Sequence, residues 1–403
     1  MKLVIIGNSA AAVGCIEGLR KFNQDIEITV ISDEPYHTYS RPLISYLLYG
    51  KTTEDKMKYR PDSFYTDNKV EFVQGEVTDI KNGVVTLKDG KTFPYDKLFV
   101  GTGSKPFVPP MEGLEKTKNF TFMTLDSAKE LEKAVNKDSE VLVIGAGLIG
   151  LKCVEGLYDR VKHITVIDLA DRILPSILDT KGSEIMQKYL EDKGITIKTG
   201  VSAKSFESNS AVLSDDSTLK FDVVVVAVGV RPNTELVKDA GGNVNKGIVV
   251  DEFCQTSLPN VYAGGDCTES FDISSDSQKI LALLPNAYMQ GETAGMHIAG
   301  IQKLYNKAIP MNAIGFFGYH IGTAGSYDGF SAVSVDGENY RNFFIKDNVL
   351  KGYILIGDLT RAGIYTNMIR EKTPINTVDW LYLKDEPSLT AFSKEYRKEI
   401  LAK

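Results

Sequence analysis

The chain has 403 residues, with 53 acidic against 46 basic side chains for a formal net charge of −7, and it is 43% hydrophobic and 25% charged. The length excludes a small one-core module and predicts two or three domains in an ordinary globular protein. A mildly acidic chain without a Lys/Arg block carries no electrostatic footprint for nucleic acid or an anionic membrane, so neither is expected as a partner.

In chain order, residues 3–6 form a β-branched run that enters the turn GNSAAA and the helical pattern 13–20. The next apolar run, IEITVIS, ends in Asp33 and Glu34, and YSRPLIS follows at 39–45. A strand at 98–103 ends in GTGSKP. The opening pattern then recurs: strand 141–144, turn GAGLIG, helix 151–158, and a second strand ITVID closing on Asp168. Strand 223–229 ends in VGVRPN, and VYAGGD stands at 261–266. No apolar stretch approaches the ~18–20 residues of a membrane span, and the apolar run at the N-terminus is too short for a secretion signal, which predicts a cytoplasmic protein.

Strands that alternate with helices predict a parallel α/β sheet, and the echo at domain scale predicts two dinucleotide-binding domains of Rossmann type. The two strands ending in small-residue turns read as crossings, so the second domain, 107–233, is inserted into the first, 1–106 and 234–310. After Pro310 short strand-like segments with glycine and aromatics lead to a polar tail from Ser388, predicting a C-terminal α+β domain, 311–403.

In VLVIGAGLIG the residues Gly145, Gly147 and Gly150 stand in G-x-G-x-x-G register between a strand and a helix. The first permits a tight turn, the second a close approach of backbone to pyrophosphate, and the third close helix–strand packing. Leu148 and Ile149 complete the phosphate turn, and Asp168, 23 residues after Gly145, is placed to take the ribose hydroxyls of NADH. An acid there repels the 2′-phosphate, so NADPH is less favoured, although Arg172 stands nearby. The first unit keeps Gly7 but has Ser9 and Ala12 in place of the other glycines, with Ala10 and Ala11 between. A hydroxyl at Ser9 can donate to a pyrophosphate, and either Asp33 or Glu34 can hold an adenosine ribose.

Taken together, the two fingerprints, YSRPLIS, GTGSKP, VVVVAVGVRPN and TSLPNVYAGGDCTE resemble, in this order, the FAD-dependent pyridine nucleotide-disulfide oxidoreductase superfamily. The resemblance spans the chain, and the phrases NSAAAVGCIEGLR, YSRPLISYLLYG and ILIGDLTRAGIYTNMIREKTPI are most similar to NADH:rubredoxin oxidoreductases and the flavin part of NAD(P)H nitrite reductases. It implies that the first unit binds FAD, with Arg41 on its pyrophosphate, Thr102 and Gly103 by the adenine-side phosphate, and Asp266 on the ribityl hydroxyls. It implies Gly229 in the NAD site, and Asn286 and Ala287 at a helix N-terminus facing the flavin pyrimidine. A core helix is an equal reading of that last segment.

The subclass turns on cysteine. Cys15, Cys153, Cys254 and Cys267 include no C-x-x-C or C-x-x-x-x-C pair, and residues 36–50 contain none. Buried packing is expected for all four, Cys267 beside Asp266 being the one that could approach a flavin. The four histidines are isolated, and no metal site is expected. Two positions depart from the resemblance: Lys152 stands where many relatives carry Glu near the nicotinamide path, and Tyr46 where ferredoxin-reductase relatives often carry Lys near the flavin. Lys152 is the one candidate for a catalytic side chain; otherwise the flavin does the chemistry. Phe316, Phe317 and Tyr319 are read as core of the third domain rather than as a flavin shield. The expected enzyme takes hydride from NADH onto FAD and passes electrons to rubredoxin or another iron–sulfur protein. The alternatives are an NADH oxidase or peroxidase, a flavin-binding subunit of a larger complex, and a disulfide or persulfide reductase using Cys267.

Overall fold

The computed structural model describes residues 1–401, which divide into two units: Met1–Glu269 with Leu284–Tyr305, and Ser270–Leu283 with Asn306 onward. The first unit is built on two five-stranded parallel sheets. In one, β10 (Val261–Ala263), β4 (Lys97–Val100), β1 (Lys2–Ile6), β2 (Glu27–Ser32) and β3 (Val70–Gln74) lie side by side in that order. In the other, the order is β8 (Thr196–Thr199), β7 (His163–Asp168), β6 (Glu140–Ile144), β9 (Val223–Val226) and β5 (Asn119–Phe120). The fingerprint strands β1 and β6 are central and buried on both faces, which is why they read as unbroken apolar runs rather than as an alternation.

The echo extends further than the motifs. A three-stranded antiparallel meander precedes a strand of each sheet, 77–94 between β3 and β4 in the first and 203–220 between β8 and β9 in the second. The first sheet is completed only when β10 returns beside β4, after the whole of the second sheet has been built. At the crossings, Ser104–Pro106 and Val230–Pro232 pair as a short antiparallel ribbon.

Helix α1 (Ala10–Arg20) follows β1, helix α2 (Ile44–Tyr49) follows the Arg41 turn, α3 (Leu148–Leu157) follows β6, and α4 (Leu284–Ile298) ends the first unit. Helices α1 and α4 cross backbone to backbone. A Cβ on Gly14 would stand 2.1 Å from the Tyr288 carbonyl oxygen, and one on Gly295 2.1 Å from that of Cys15, so only glycines permit this approach. The crossing fixes the start of α4 beside the start of α1.

In the second unit Met311–Phe316, Tyr319–Gly325, Val349–Ile356, Asn339–Lys346 and Phe330–Asp336 form an antiparallel sheet in that order. Helix Gly363–Arg370 contributes Tyr365, Met368 and Ile369 to a core with Phe343 and Tyr353. Phe316 is wholly buried, while Phe317 adopts a left-handed φ of +51° in the hairpin turn with Gly318. The segment Ser270–Leu283, which the sequence pattern groups with the first sheet, lies in this unit: the Ile273 amide donates to the Ala308 carbonyl at 3.1 Å. Among the described residues no helix is long and apolar enough to cross a membrane.

Candidate functional site: two nucleotide cradles in one unit

All of the candidate residues lie in the first unit. At the end of β1, Gly7 takes φ +99°, and a Cβ there would overlap the Gly101 carbonyl oxygen at 2.1 Å. The glycine is therefore demanded by the GTGS turn running beside it. Ser9 is the extended N-cap of α1, and its side chain makes no bond to the helix. The first turn of α1, starting with the small buried Ala10 and Ala11, contains no acid, so the positive end of the helix dipole is uncompensated. Gly265, at φ +86°, brings the GGD loop close, since a Cβ there would stand 3.4 Å from that of Ala11 and 3.6 Å from that of Ala287. Ser9, Ala10, Ala11, Gly265, Asp266 and Ala287 thus converge, with Asn286 buried in the first turn of α4.

Burial holds the Asp266 carboxyl above its ordinary pKa, opposed by a hydrogen bond from Ser104 Oγ at 3.3 Å and by the charge of Arg41. Two residues that sequence reasoning missed hold this loop in place. Gln290 Oε1 accepts from the Gly265 amide and its Nε2 donates to Thr268 Oγ1, each at 2.9 Å. Gln290 stands one helical turn after Asn286, the one signal that could have found it. Thr102 donates its hydroxyl to the Asn233 carbonyl at 2.7 Å and accepts the Asn233 side-chain amide on its own carbonyl at 2.9 Å, which ties the two crossings together. Gly103, at φ +64°, has open space on its Cβ side.

The acids after β2 stand one and two residues beyond the position that matches Asp168. The Gly7 amide bonds the Ile31 carbonyl as the Gly145 amide bonds that of Ile167, both at 2.8 Å, so Ser32 and not Asp33 or Glu34 is the counterpart of Asp168. Glu34 is engaged by Arg41 and by the Tyr39 hydroxyl, the latter at 2.7 Å, whereas the exposed Asp33 only accepts the Glu34 amide at 3.0 Å. Both acids still lie at the strand end, and the choice between them is open.

The second cradle has the sharper geometry. Gly145 takes φ +113°, and its Cβ would meet the Ala227 carbonyl oxygen at 2.3 Å; a Cβ on Gly150 would stand 1.9 Å from the Gly145 carbonyl oxygen. Gly147, the N-cap of α3, faces nothing within 4 Å, and Gly229, at φ +121°, is equally open. The first turn of α3, with Leu148 and Ile149, again has no acid. Two closed glycines and one open one are what a backbone that receives a pyrophosphate requires. Asp168 braces the turn, its two oxygens accepting the Ala146 and Ala170 amides at 2.6 and 2.7 Å while each keeps a lone pair.

All four cysteines are buried and free. Cys267 donates to the Val100 and Gly264 carbonyls at 3.6 and 3.4 Å, and burial pushes its thiol up to about 11. Lys152 forms an ion pair with Glu155 and lies 4.4 Å over the Tyr46 ring, so the two departing positions touch each other.

Residues 1–291 match the family described as pyridine nucleotide-disulphide oxidoreductase. The chain belongs to this family. As a member it is an FAD-dependent NAD(P)H oxidoreductase, the family's cofactors being FAD and NADH, and both cradles described above fit them. It is 35% identical over 317 residues to an NADH oxidase of Methanocaldococcus jannaschii, covering 75% of this chain and 71% of the relative. An assimilatory nitrate reductase electron transfer subunit of Bacillus subtilis is 32% identical over 89% of this chain, which spans 48% of that relative's length. A rubredoxin-NAD(+) reductase of Pseudomonas putida is 28% identical over 74% of this chain and 80% of its own. Among solved structures, the covalent putidaredoxin reductase–putidaredoxin complex superposes with a TM-score of 0.88 at 24% identity, over 100% of this chain and 98% of the other.

Proposed function

We propose that this NADH-dependent flavoprotein delivers its electrons to a small iron–sulfur protein such as rubredoxin, with no thiol relay. The observation that carries the reading is the state of the cysteines: each is buried and unpaired, and Cys267 is held by two carbonyls with its proton on. FAD, when bound, supplies the centre that accepts a hydride and gives it up as single electrons.

On this reading Gly145–Gly150 and the α3 N-terminus hold the pyrophosphate of NADH, Asp168 takes the ribose and Gly229 leaves room for the nucleotide. Gly7, Ser9, Ala10, Ala11, Thr102 and Gly103 surround the FAD phosphates, Arg41 contacts the pyrophosphate, and Asp33 or Glu34 meets the adenosine ribose. Asp266 takes the ribityl hydroxyls, and Asn286 and Ala287 stand at the isoalloxazine. The domains proposed are 1–106 with 234–310 for FAD, less the segment Ser270–Leu283 and residues 306–310 that lie in the second unit, 107–233 for NADH and 311–403 as the C-terminal part, in a cytoplasmic enzyme. The rubredoxin reductase among the relatives and the putidaredoxin complex among the structures support a protein acceptor.

A second reading, an NADH oxidase, is favoured by the Methanocaldococcus relative. Anaerobic stopped-flow with NADH, followed by mixing with rubredoxin, oxygenated buffer or a disulfide, separates them. Fast flavin bleaching and fastest reoxidation by rubredoxin is the expected result. Fastest reoxidation by oxygen establishes the oxidase, and fastest by the disulfide revives a thiol route.

A further inference from the structure

The two cradles share a turn but brace it differently. In the second, the Asp168 carboxylate accepts the Ala146 amide inside the turn and the Ala170 amide beyond the strand. In the first, Ser32 holds the place of Asp168, and its hydroxyl accepts only the Glu34 amide, at 3.2 Å. That reproduces the outer half of the brace. The half that reaches the turn is missing: no described residue accepts the amide of Asn8, the counterpart of Ala146.

The side chain of Asn8 takes over this task. Its Nδ2 donates to the Tyr36 carbonyl at 3.1 Å, and its Oδ1 accepts the Tyr65 hydroxyl at 2.7 Å. Tyr65, in the short helix Phe64–Asp67, accepts the Thr38 amide on the same hydroxyl at 3.1 Å, and its ring packs against those of His37 and Phe72. Alanine, which stands at this place in the second cradle, could form none of these side-chain bonds. The segment Tyr36–Thr38 lies between two residues assigned to the cofactor, Glu34 two positions before it and Arg41 three after. One clasp therefore sets the phosphate turn against the stretch that carries both.

The chemistry of the two braces differs in a way that suits different ligands. A carboxylate against the turn repels a diphosphate and occupies an amide that could otherwise donate to it. The Asn8 clasp is neutral and leaves the Asn8 amide open to a ligand oxygen, and an amide donating to phosphate is among the stronger hydrogen bonds.

We propose that Asn8 and Tyr65 are positioning residues for FAD, a neutral clasp that fixes the first phosphate turn in place of the strand-end acid that braces the second. The proposal rests on the reading of the first cradle as the FAD site. It also gives a reason for the displaced acid: with the turn held from Tyr36 and Tyr65, the position after β2 no longer has to carry a carboxylate.

The test uses Asn8→Ala, Tyr65→Phe and the double variant, Tyr65→Phe removing the hydroxyl while keeping the ring in its packing. Three quantities are read: the FAD dissociation constant of the flavin-free protein from the quenching of FAD fluorescence, the melting temperature of the flavin-free protein, and the NAD+ dissociation constant of the FAD-loaded protein by calorimetry. Each single variant is expected to hold FAD roughly two- to tenfold less tightly, with NAD+ affinity unchanged. Because the two side chains act through one clasp, the double variant should hold FAD about as well as Asn8→Ala alone. Variants that melt earlier but keep the wild-type FAD affinity would show a purely structural contact and overturn the proposal, as would losses of FAD affinity that simply add in the double variant. Failure of the flavin-free wild type to take up FAD would instead overturn the functional reading beneath it.

Discussion

The open glycine separates ligand binding from folding. At Gly150 an added methyl would lie 1.9 Å from a backbone oxygen, a contact that the turn can relieve only by moving. Overpacking of this kind costs about 1–3 kcal/mol or more, so Gly150→Ala should lower the melting temperature and impair NADH use together. At Gly147 the same methyl meets no protein atom within 4 Å, and φ is −82°, which alanine adopts freely. The fold should lose only the difference between Gly and Ala at an N-cap, about 1 kcal/mol or less. If pyrophosphate lies against this backbone, the methyl displaces it and forfeits a charge-assisted hydrogen bond, about 1.5–3 kcal/mol. That corresponds to roughly 10- to 150-fold in the dissociation constant for NADH. The assay pairs a thermal melt with an NADH titration of flavin bleaching, and FAD content should remain at the wild-type level in both variants. Wild-type NADH affinity in Gly147→Ala would refute the placement of the pyrophosphate. A melting loss equal to that of Gly150→Ala would refute the claim that the position is structurally open.

Other residues divide in the same way. Asp168→Ala should lower the ratio of kcat/KM for NADH over NADPH and, because two backbone amides lose their acceptor, destabilise the protein by about 1–3 kcal/mol; an unchanged ratio would show the ribose lies elsewhere. Asp266→Asn removes a carboxylate whose burial raises its pKa, a charge that weakens the cofactor-free fold as pH rises through that value. Cofactor-free Asp266→Asn should therefore melt no earlier than wild type at neutral pH while holding FAD less tightly, by under about tenfold, and an earlier melt would contradict the sign. With its thiol at about 11, Cys267 has roughly one part in a thousand as thiolate at pH 8. It should resist iodoacetamide in the native state, and Cys267→Ala should bleach with NADH at the wild-type rate; rapid alkylation or loss of reoxidation would reinstate a thiol route.

Those features written as local backbone demands were legible in the sequence. Gly7, Gly145 and Gly150 sit where the chain must turn or touch another backbone, so the residue type itself reports the geometry, and the two sheets follow from the buried strands that lead into them. Features that depend on what arrives from elsewhere were not legible. Gly14 and Gly295 read as helix interior, since the partner that demands each lies on a helix hundreds of residues away, and Gln290 holds Gly265 across a separation of 25 residues, its place one turn after Asn286 being the only trace of it in the sequence. The acid after β2 shows the limit from the other side: matching the two units by motif points to Asp33 or Glu34, but matching them by hydrogen bond puts Ser32 at that place. A displaced acid and a serine for the second glycine both fall in the first unit, while the second keeps glycines and acid in register. On the proposed reading, the second cradle binds and releases a diffusing nucleotide through the motif geometry, whereas the first distributes its hold over YSRPLIS, GTGS, the GGD loop and α4. A site built from many separated segments tolerates a substitution in any one of them, and single substitutions in the FAD cradle should accordingly cost less affinity than Gly147→Ala costs for NADH.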